Sequence, residues 1–300
     1  MGAFLMKNPI FTGSAVALVT PFSQDGSVNY EMLDRLLDFH LANSTDAIVL
    51  CATTGESPVL TAEEYEKILQ HGVKKIAGRV PVIAGAGSNC TAHALELCKT
   101  AEAAGADALL VVTPFYNKTS QKGLIAHYTY LADRVQKPII IYNVPSRTGV
   151  NVKPETYQIL SQHPNINGVK EANGDITSVA RTISLCKDNF NVYSGNDDQA
   201  LPMLSLGGKG VISVFANCMP KQMHDLCTAF FQHDTKKAAE MEAEYLPLMD
   251  ALFMDINPIP VKEAMRMMGF DCGICRLPLV EMDDAAKAKL FAALKAYKCI

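Results

Sequence analysis

Eight short apolar runs, rich in β-branched residues, recur along the first 214 residues of the chain, at 14–20, 46–51, 80–84, 107–112, 138–142, 167–170, 190–194 and 210–214. Each is bounded by polar or glycine-rich residues, which marks it as a buried strand. Amphipathic stretches with helix-start chemistry separate them. Thr61 followed by Glu64 ahead of an apolar-periodic run is a capping-box pattern. Strands this uniformly apolar are covered on both faces, which implies a parallel sheet, and strict strand–helix alternation permits either an open doubly wound sheet or a closed barrel. Eight repeats, with polar residues following nearly every strand, favour closure. The expected fold is α/β, a (β/α)8 TIM barrel over residues 1–233 with its active site at the carboxyl ends of the strands. From Asp234, a plausible N-cap, the pattern turns helical: 235–253 bent near Pro247, 260–268 stopped by Gly269, and 284–297. Residues 234–300 thus read as a C-terminal helical appendage. Its Met249, Met254, Met265, Met267 and Met268 fill core gaps rather than hold a cofactor.

Composition removes several classes of function. A chain of 300 residues that is 49% hydrophobic can bury a large core without disulfides or structural metal. A net charge of −4 with no Lys/Arg run supplies no footprint for nucleic acid. No apolar stretch reaches the length needed to span a bilayer, and residues 1–11 lack the layout of a signal peptide, so the expected location is the cytoplasm. The nine cysteines are an odd number without periodic spacing and read as free thiols. Cys272 and Cys275 form a lone C-x-x-C with no further zinc ligands nearby, and the seven histidines include no H-E-x-x-H pair. Gly85-Ala86-Gly87-Ser88-Asn89-Cys90 follows a strand but lacks the last glycine of a dinucleotide fingerprint. Neither a metal nor an organic cofactor is expected.

Lys170 lies inside an apolar run, Gly168-Val169-Lys170-Glu171-Ala172, whereas most other lysines fall on solvated helix faces. Removing an ammonium from water lowers its pKa, and only the neutral amine attacks a carbonyl. A desolvated lysine at a strand end is therefore a candidate Schiff-base nucleophile; the plainer reading is a structural lysine ion-paired with an acid. Thr53-Thr54-Gly55-Glu56-Ser57 follows strand two, where hydroxyls and backbone N–H groups could hold a small carboxylate, or where a helix simply begins. Thr113-Pro114-Phe115-Tyr116-Asn117 follows strand four, and strand five ends in Tyr142-Asn143-Val144-Pro145-Ser146-Arg147-Thr148-Gly149. Two phenols and a guanidinium thus converge on one rim. A hydrogen-bonded Tyr–Thr–Tyr chain can move the protons that imine formation requires, and Arg147 can grip a carboxylate. Glycine-rich loops beside strands seven and eight, Gly195 to Asp198 after strand seven and Gly207 to Gly210 leading into strand eight, with Ile212 beside them, would let backbone approach a small ligand, though turn geometry explains these glycines almost as well.

Taken together, residues 53–57, 113–117, 142–149, 168–174 and 257–262 resemble the dihydrodipicolinate synthase family, among the pyruvate-dependent class I aldolases of the N-acetylneuraminate lyase superfamily. The resemblance runs over essentially the whole chain. It implies that Lys170 forms an imine with pyruvate, and that the derived enamine adds to L-aspartate 4-semialdehyde before cyclisation frees the lysine. It implies further that Tyr142, Thr53 and Tyr116 form a proton relay, with Tyr116 reaching across a dimer interface into the neighbouring subunit's site. Thr54 would bind the pyruvate carboxylate, Arg147 would orient the second substrate, and Gly195 and Ile212 would line the pocket. The family implies a homo-oligomer, either a tetramer built as a dimer of dimers or a dimer.

Two rivals accompany this reading. One is a sibling aldolase acting on N-acetylneuraminate or a 2-keto-3-deoxy sugar acid; Thr53 beside Thr54, and Arg147, argue against it, because acylneuraminate lyases typically lack that arginine. The other is a non-catalytic barrel that binds a small molecule and in which Lys170 merely pairs with an acid. Feedback-sensitive members of the family bind lysine at the dimer interface, where Ser57 and Asn89 fit the pattern. Ala62 and Tyr65 stand instead where histidines are common, His93 where a glutamate would hold the effector's ammonium, and Phe115 where a tyrosine hydroxyl would bind. Weak or absent inhibition by lysine is therefore expected; a steady-state assay that shows micromolar inhibition would contradict it.

Overall fold

All eight apolar runs are strands in the computed structural model, which describes residues 6–300. The reading of residues 1–11 therefore falls partly outside the described residues. In chain order the elements are β1 (Gly13–Ala17), α1 (Tyr30–Ala42), β2 (Ala47–Leu50), α2 (Ala62–Ile76), β3 (Val82–Gly85), α3 (Thr91–Ala103), β4 (Ala108–Val112), α4 (Gln121–Ala132) and β5 (Ile139–Asn143). Two helices follow, α5 (Pro145–Thr148) and α6 (Pro154–Leu160), then β6 (Ile166–Glu171), α7 (Ile176–Cys186), β7 (Asn191–Ser194), α8 (Ala200–Ser205), β8 (Gly210–Ser213) and α9 (Pro220–Phe231). The chain finishes with α10 (Thr235–Ala251), α11 (Ile259–Met267) and α12 (Asp284–Ala296). The strands pair in parallel in sequence order, and β8 returns to β1 to close the barrel.

Strand alternation sorts the apolar residues into two cores. Val16, Ile48, Val82, Leu109, Ile141, Val169 and Val211 face outward and pack with the helices, while Ala15, Ala17, Ala47, Val49, Ala108, Ile140 and Ile212 face the bore. The alanines of the bore make room for larger side chains. Phe11, which precedes β1, stacks on Tyr193 with ring centroids 4.4 Å apart, and the Tyr193 hydroxyl donates to the Phe11 carbonyl at 3.1 Å. These rings fill the amino end of the barrel. The carboxyl end is left to polar residues.

Two boundaries depart from the expected runs for identifiable reasons. The run 14–20 leaves the sheet after Ala17: the Val19 N–H donates to the Asn217 side chain at 3.1 Å and the Thr20 hydroxyl to the Gly55 carbonyl at 2.7 Å, so this stretch becomes a loop. The run 80–84 starts its strand only at Val82, after Pro81, which has no N–H to donate. Helix starts behave as their chemistry dictates: Thr61 and Glu64 form the reciprocal capping box on α2, and Asp234 caps α10 by accepting from the Lys237 N–H at 3.1 Å. Pro247 sits inside α10, which packs against α9 and α12.

Closure depends on one close approach. Gly210 pairs with Gly13 where β8 meets β1, and a Cβ at Gly210 would collide with the Gly13 backbone carbonyl. Backbone cannot yield as a side chain does. Gly210→Ala is therefore expected to destabilise the fold by at least the about 1–3 kcal/mol typical of an overpacked core, read as a lowered urea midpoint; an unchanged midpoint would show that the seam tolerates separation.

Candidate active site

Lys170 sits on the bore face of β6, between Tyr142 of β5 and Tyr193 of β7 in the sheet register. It is 4% exposed. Burial lowers its pKa from 10.5 to about 8, with the Asp197 carboxylate opposing the fall and Arg147 adding to it. Its nitrogen lies 4.5 Å from the centre of the Tyr142 ring, and among the described residues no carboxylate comes within ion-pairing distance of it. The structural-lysine alternative loses its required partner. Gly195, after β7, keeps the stem unobstructed: a Cβ there would stand 2.8 Å from the Ala172 side chain and 3.2 Å from the Lys170 Cε.

Around this amine the strand ends deliver polar groups. Tyr142 is buried, which raises its pKa, while the Arg147 guanidinium and the Thr53 side chain beside it oppose the rise. Thr53 and Thr54 belong to a tight turn after β2, closed by the Glu56 N–H donating to the Thr53 carbonyl at 3.1 Å and the Ser57 N–H to the Ala52 carbonyl at 3.2 Å. Arg147 lies on α5, a single turn that Pro145 starts and left-handed Gly149 ends. Its guanidinium donates to the Asn257 carbonyl at 2.9 Å, and the Asn257 amide donates to the Thr54 hydroxyl at 3.1 Å. Asn257 thus bridges two of the residues singled out from sequence. Ile212 is fully buried on the bore face of β8. Tyr116 is different: it stands 90% exposed on the loop after β4, at a backbone φ of 66°, away from the Tyr142–Thr53 pair. The fold of one chain brings together Lys170, Tyr142, Thr53, Thr54, Arg147, Gly195 and Ile212, and leaves Tyr116 outside the group.

Three supporting residues carried little signal in the sequence. Asp197 is buried and its carboxylate accepts from the Val214 and Phe215 N–H groups at 3.0 and 2.9 Å, tying the loop after β7 to the end of β8. Glu171 points away from Lys170, as alternation requires, and accepts from the Tyr157 hydroxyl and the Asn143 amide, each at 2.8 Å. Burial raises its pKa to about 7 despite those bonds. Asn257 is separated from Thr54 by most of the chain, so only the fold reveals their contact. A cavity of about 550 Å³ lies apart from Lys170, lined by Asn117, Lys118 and His127 beside the loop that carries Tyr116. Among the described residues no three His, Cys, Asp or Glu side chains gather as metal ligands, and Cys272 and Cys275 are both free thiols.

Comparison with known proteins adds an independent line. Residues 10–297 match the dihydrodipicolinate synthetase family. The chain is 54% identical over 290 residues to a 4-hydroxy-tetrahydrodipicolinate synthase of Thermoanaerobacter sp. (strain X514), covering 96% of this chain and 97% of that protein. It is 49% identical over 287 residues to the enzyme of the same name from Clostridium perfringens (strain SM101 / Type A), covering 96% and 98%. A solved dihydrodipicolinate synthase structure from Thermotoga maritima superimposes with a TM-score of 0.95 at 44% identity, covering 97% of this chain and all of that one.

The depressed lysine has a thermodynamic signature. Below pH 8 the amine is protonated in both folded and unfolded chains, and the folded state bears the full cost of burying the charge; between pH 8 and 10.5 only the unfolded chain holds the proton, so the cost disappears as pH rises. Lys170→Met is expected to stabilise the protein at pH 7 by about 3 kcal/mol and to lose most of that advantage near pH 10.5. Thermal melts of both proteins at the two pH values test this; equal gains at both would refute it.

Proposed function

The chain belongs to the dihydrodipicolinate synthetase family, and from that premise we propose that Lys170 is the nucleophile of its reaction. The reaction condenses pyruvate with L-aspartate 4-semialdehyde to give 4-hydroxy-tetrahydrodipicolinate, the committed step toward diaminopimelate and lysine. The observation that carries the assignment of the nucleophile is a buried, unpaired amine with a pKa near 8 at the carboxyl end of a barrel strand.

The neutral Lys170 nitrogen attacks C2 of pyruvate, whose carbonyl oxygen takes up a proton to form a carbinolamine. Loss of water gives the imine, and loss of a C3 proton gives the enamine. C3 then bonds to the aldehyde carbon of the second substrate, whose oxygen is protonated. The amino group of that substrate attacks the imine carbon, closes the ring and expels the lysine amine. Each step moves a proton near the Tyr142 hydroxyl, and the adjacent Thr53 side chain supports a shuttle through these two groups. Thr54, joined to Arg147 through Asn257, supports a carboxylate subsite, with Arg147 at the entrance to meet the carboxylate of the aldehyde. Gly195 and Ile212 leave the approach to the amine narrow and apolar.

Tyr116 completes the relay from a second copy of the chain. Its ring is solvent-exposed in one chain, and such a phenol at the catalytic rim is suited to enter a neighbour's site. The functional unit is therefore a homodimer, alone or paired into a tetramer. No helix among the described residues is long and apolar enough to cross a membrane, and nine thiols without a disulfide suit the reducing cytoplasm, where we place the protein.

Incubation with pyruvate and sodium borohydride should add one reduced pyruvyl group per chain, mapped by peptide mass to Lys170 and missing in Lys170→Ala. An unmodified wild-type chain would overturn the assignment. Tyr116→Phe should lower turnover by roughly the 10²–10⁴-fold attributed to one acid–base group, and mixing it with an inactive Lys170→Ala chain should restore activity in hybrid dimers. No restoration would place Tyr116 in its own subunit's site.

A further inference from the structure

The turn that carries Thr53 and Thr54 ends in a second buried charge. Glu56 follows Gly55 in the left-handed region, at φ 57° and ψ 36°, a conformation that costs a residue with a Cβ unless its surroundings hold it there. Its carboxylate receives the Lys262 ammonium at 2.7 Å on one oxygen and the Arg276 N–H at 2.9 Å on the other. The side chains of Lys262 and Glu56 are 2% and 1% exposed. Lys262 also donates to the Ile274 carbonyl at 3.1 Å and lies 4.0 Å from the centre of the Phe22 ring. Both Lys262 and Arg276 belong to the region after α10, more than 200 residues from the turn they grip.

Stability alone does not account for such a pair. Two charges lose their hydration on burial, and apolar residues of similar volume often serve a fold as well or better. What an ion pair supplies that apolar packing does not is a fixed distance. Here that distance is set two residues from Thr54, whose hydroxyl is held from the same C-terminal region by Asn257. The Thr20 hydroxyl pins the intervening Gly55 carbonyl at 2.7 Å.

We propose that Glu56 and Lys262 are positioning residues for the keto-acid carboxylate subsite: the pair fixes the turn so that the Thr54 hydroxyl and the neighbouring N–H groups stand at the height the pyruvate carboxylate requires above Lys170. The helical appendage thereby supplies part of the barrel's substrate-binding geometry. This rests on the reading of Thr54 as the carboxylate ligand.

Three variants test it, each measured by the pyruvate concentration that half-saturates borohydride trapping at Lys170, by the trapping rate at saturation and by the melting temperature. Thr54→Val tests the underlying reading. Glu56→Asp keeps the charges but shortens the arm by one methylene, and Glu56→Gln with Lys262→Met removes both charges together, so no buried ion is left alone. Both pair variants are expected to weaken pyruvate half-saturation about tenfold, in keeping with the sensitivity of reactive geometry to small displacements, while the rate at saturation changes less than about twofold. A merely structural pair would shift the melting temperature and leave half-saturation alone. If Thr54→Val weakens pyruvate and the folded pair variants do not, the positioning role is wrong and the subsite reading survives. If Thr54→Val has no effect, both fall. Should the double variant fail to fold, Glu56→Asp decides by itself.

Discussion

Water is kept from the Lys170 amine by the walls of its own barrel, and much of the surrounding architecture serves that exclusion. The strand carries the side chain inward between two tyrosines, and a glycine opposite leaves the stem clear. An ammonium in such a place is costly, and this chain does not offset the cost with an ion pair. Asp197 is held instead by two backbone N–H groups at the end of β8, where its charge opposes the fall in the amine's pKa without contact. The result is a lysine whose neutral form is accessible near physiological pH. Direct pairing with a carboxylate would have favoured the charged form and depleted the neutral amine on which the proposed chemistry depends.

The two ends of the barrel divide the labour of folding and chemistry. At the amino end, stacked aromatic rings and backbone hydrogen bonds fill the bore. At the carboxyl end the strands hand over to loops with polar side chains, and those loops are tied both internally and to one another. The turn after β2 is closed by its own backbone bonds, α5 is a single turn between proline and glycine, and the loop after β7 is tied down through Asp197. The rim is thus built from short, cross-tied pieces on a rigid sheet, the arrangement that lets side chains meet to within hydrogen-bonding distance without a large mobile loop.

Much of this was legible in the sequence. Strand periodicity and turn residues located all eight strands, because a strand buried on both faces leaves an uninterrupted apolar run. The three C-terminal helices followed from Asp234, Pro247 and Gly269 in the same way. Lys170 stood out because a charged residue inside such a run is a local inconsistency, and such inconsistencies gather at functional sites. Illegible were relations between distant segments. Nothing near Glu56 announces that its charge is answered by Lys262, and nothing near Thr54 announces Asn257, because ion pairs and amide bonds across 200 residues leave no periodic trace. Strand ends were blurred for a related reason: side chains such as Asn217 take over from the sheet as backbone partners beyond Ala17, and hydrophobicity does not record that exchange. Tyr116 was recognisable by type and position, yet within one chain it stands exposed on its loop, and the part proposed for it depends on a second copy.

The plug formed by Phe11 and Tyr193 has a kinetic corollary. A vessel sealed at its base has a single doorway, and whatever reaches the floor has to pass through the space above it. In the proposed reaction the molecule that bonds to the floor must arrive before the one that rests above it, and the water expelled during imine formation has to depart past the same threshold before the doorway fills again. Sequential order in a reaction of this kind then needs no gate or signal to enforce it; the shape of the container imposes the queue.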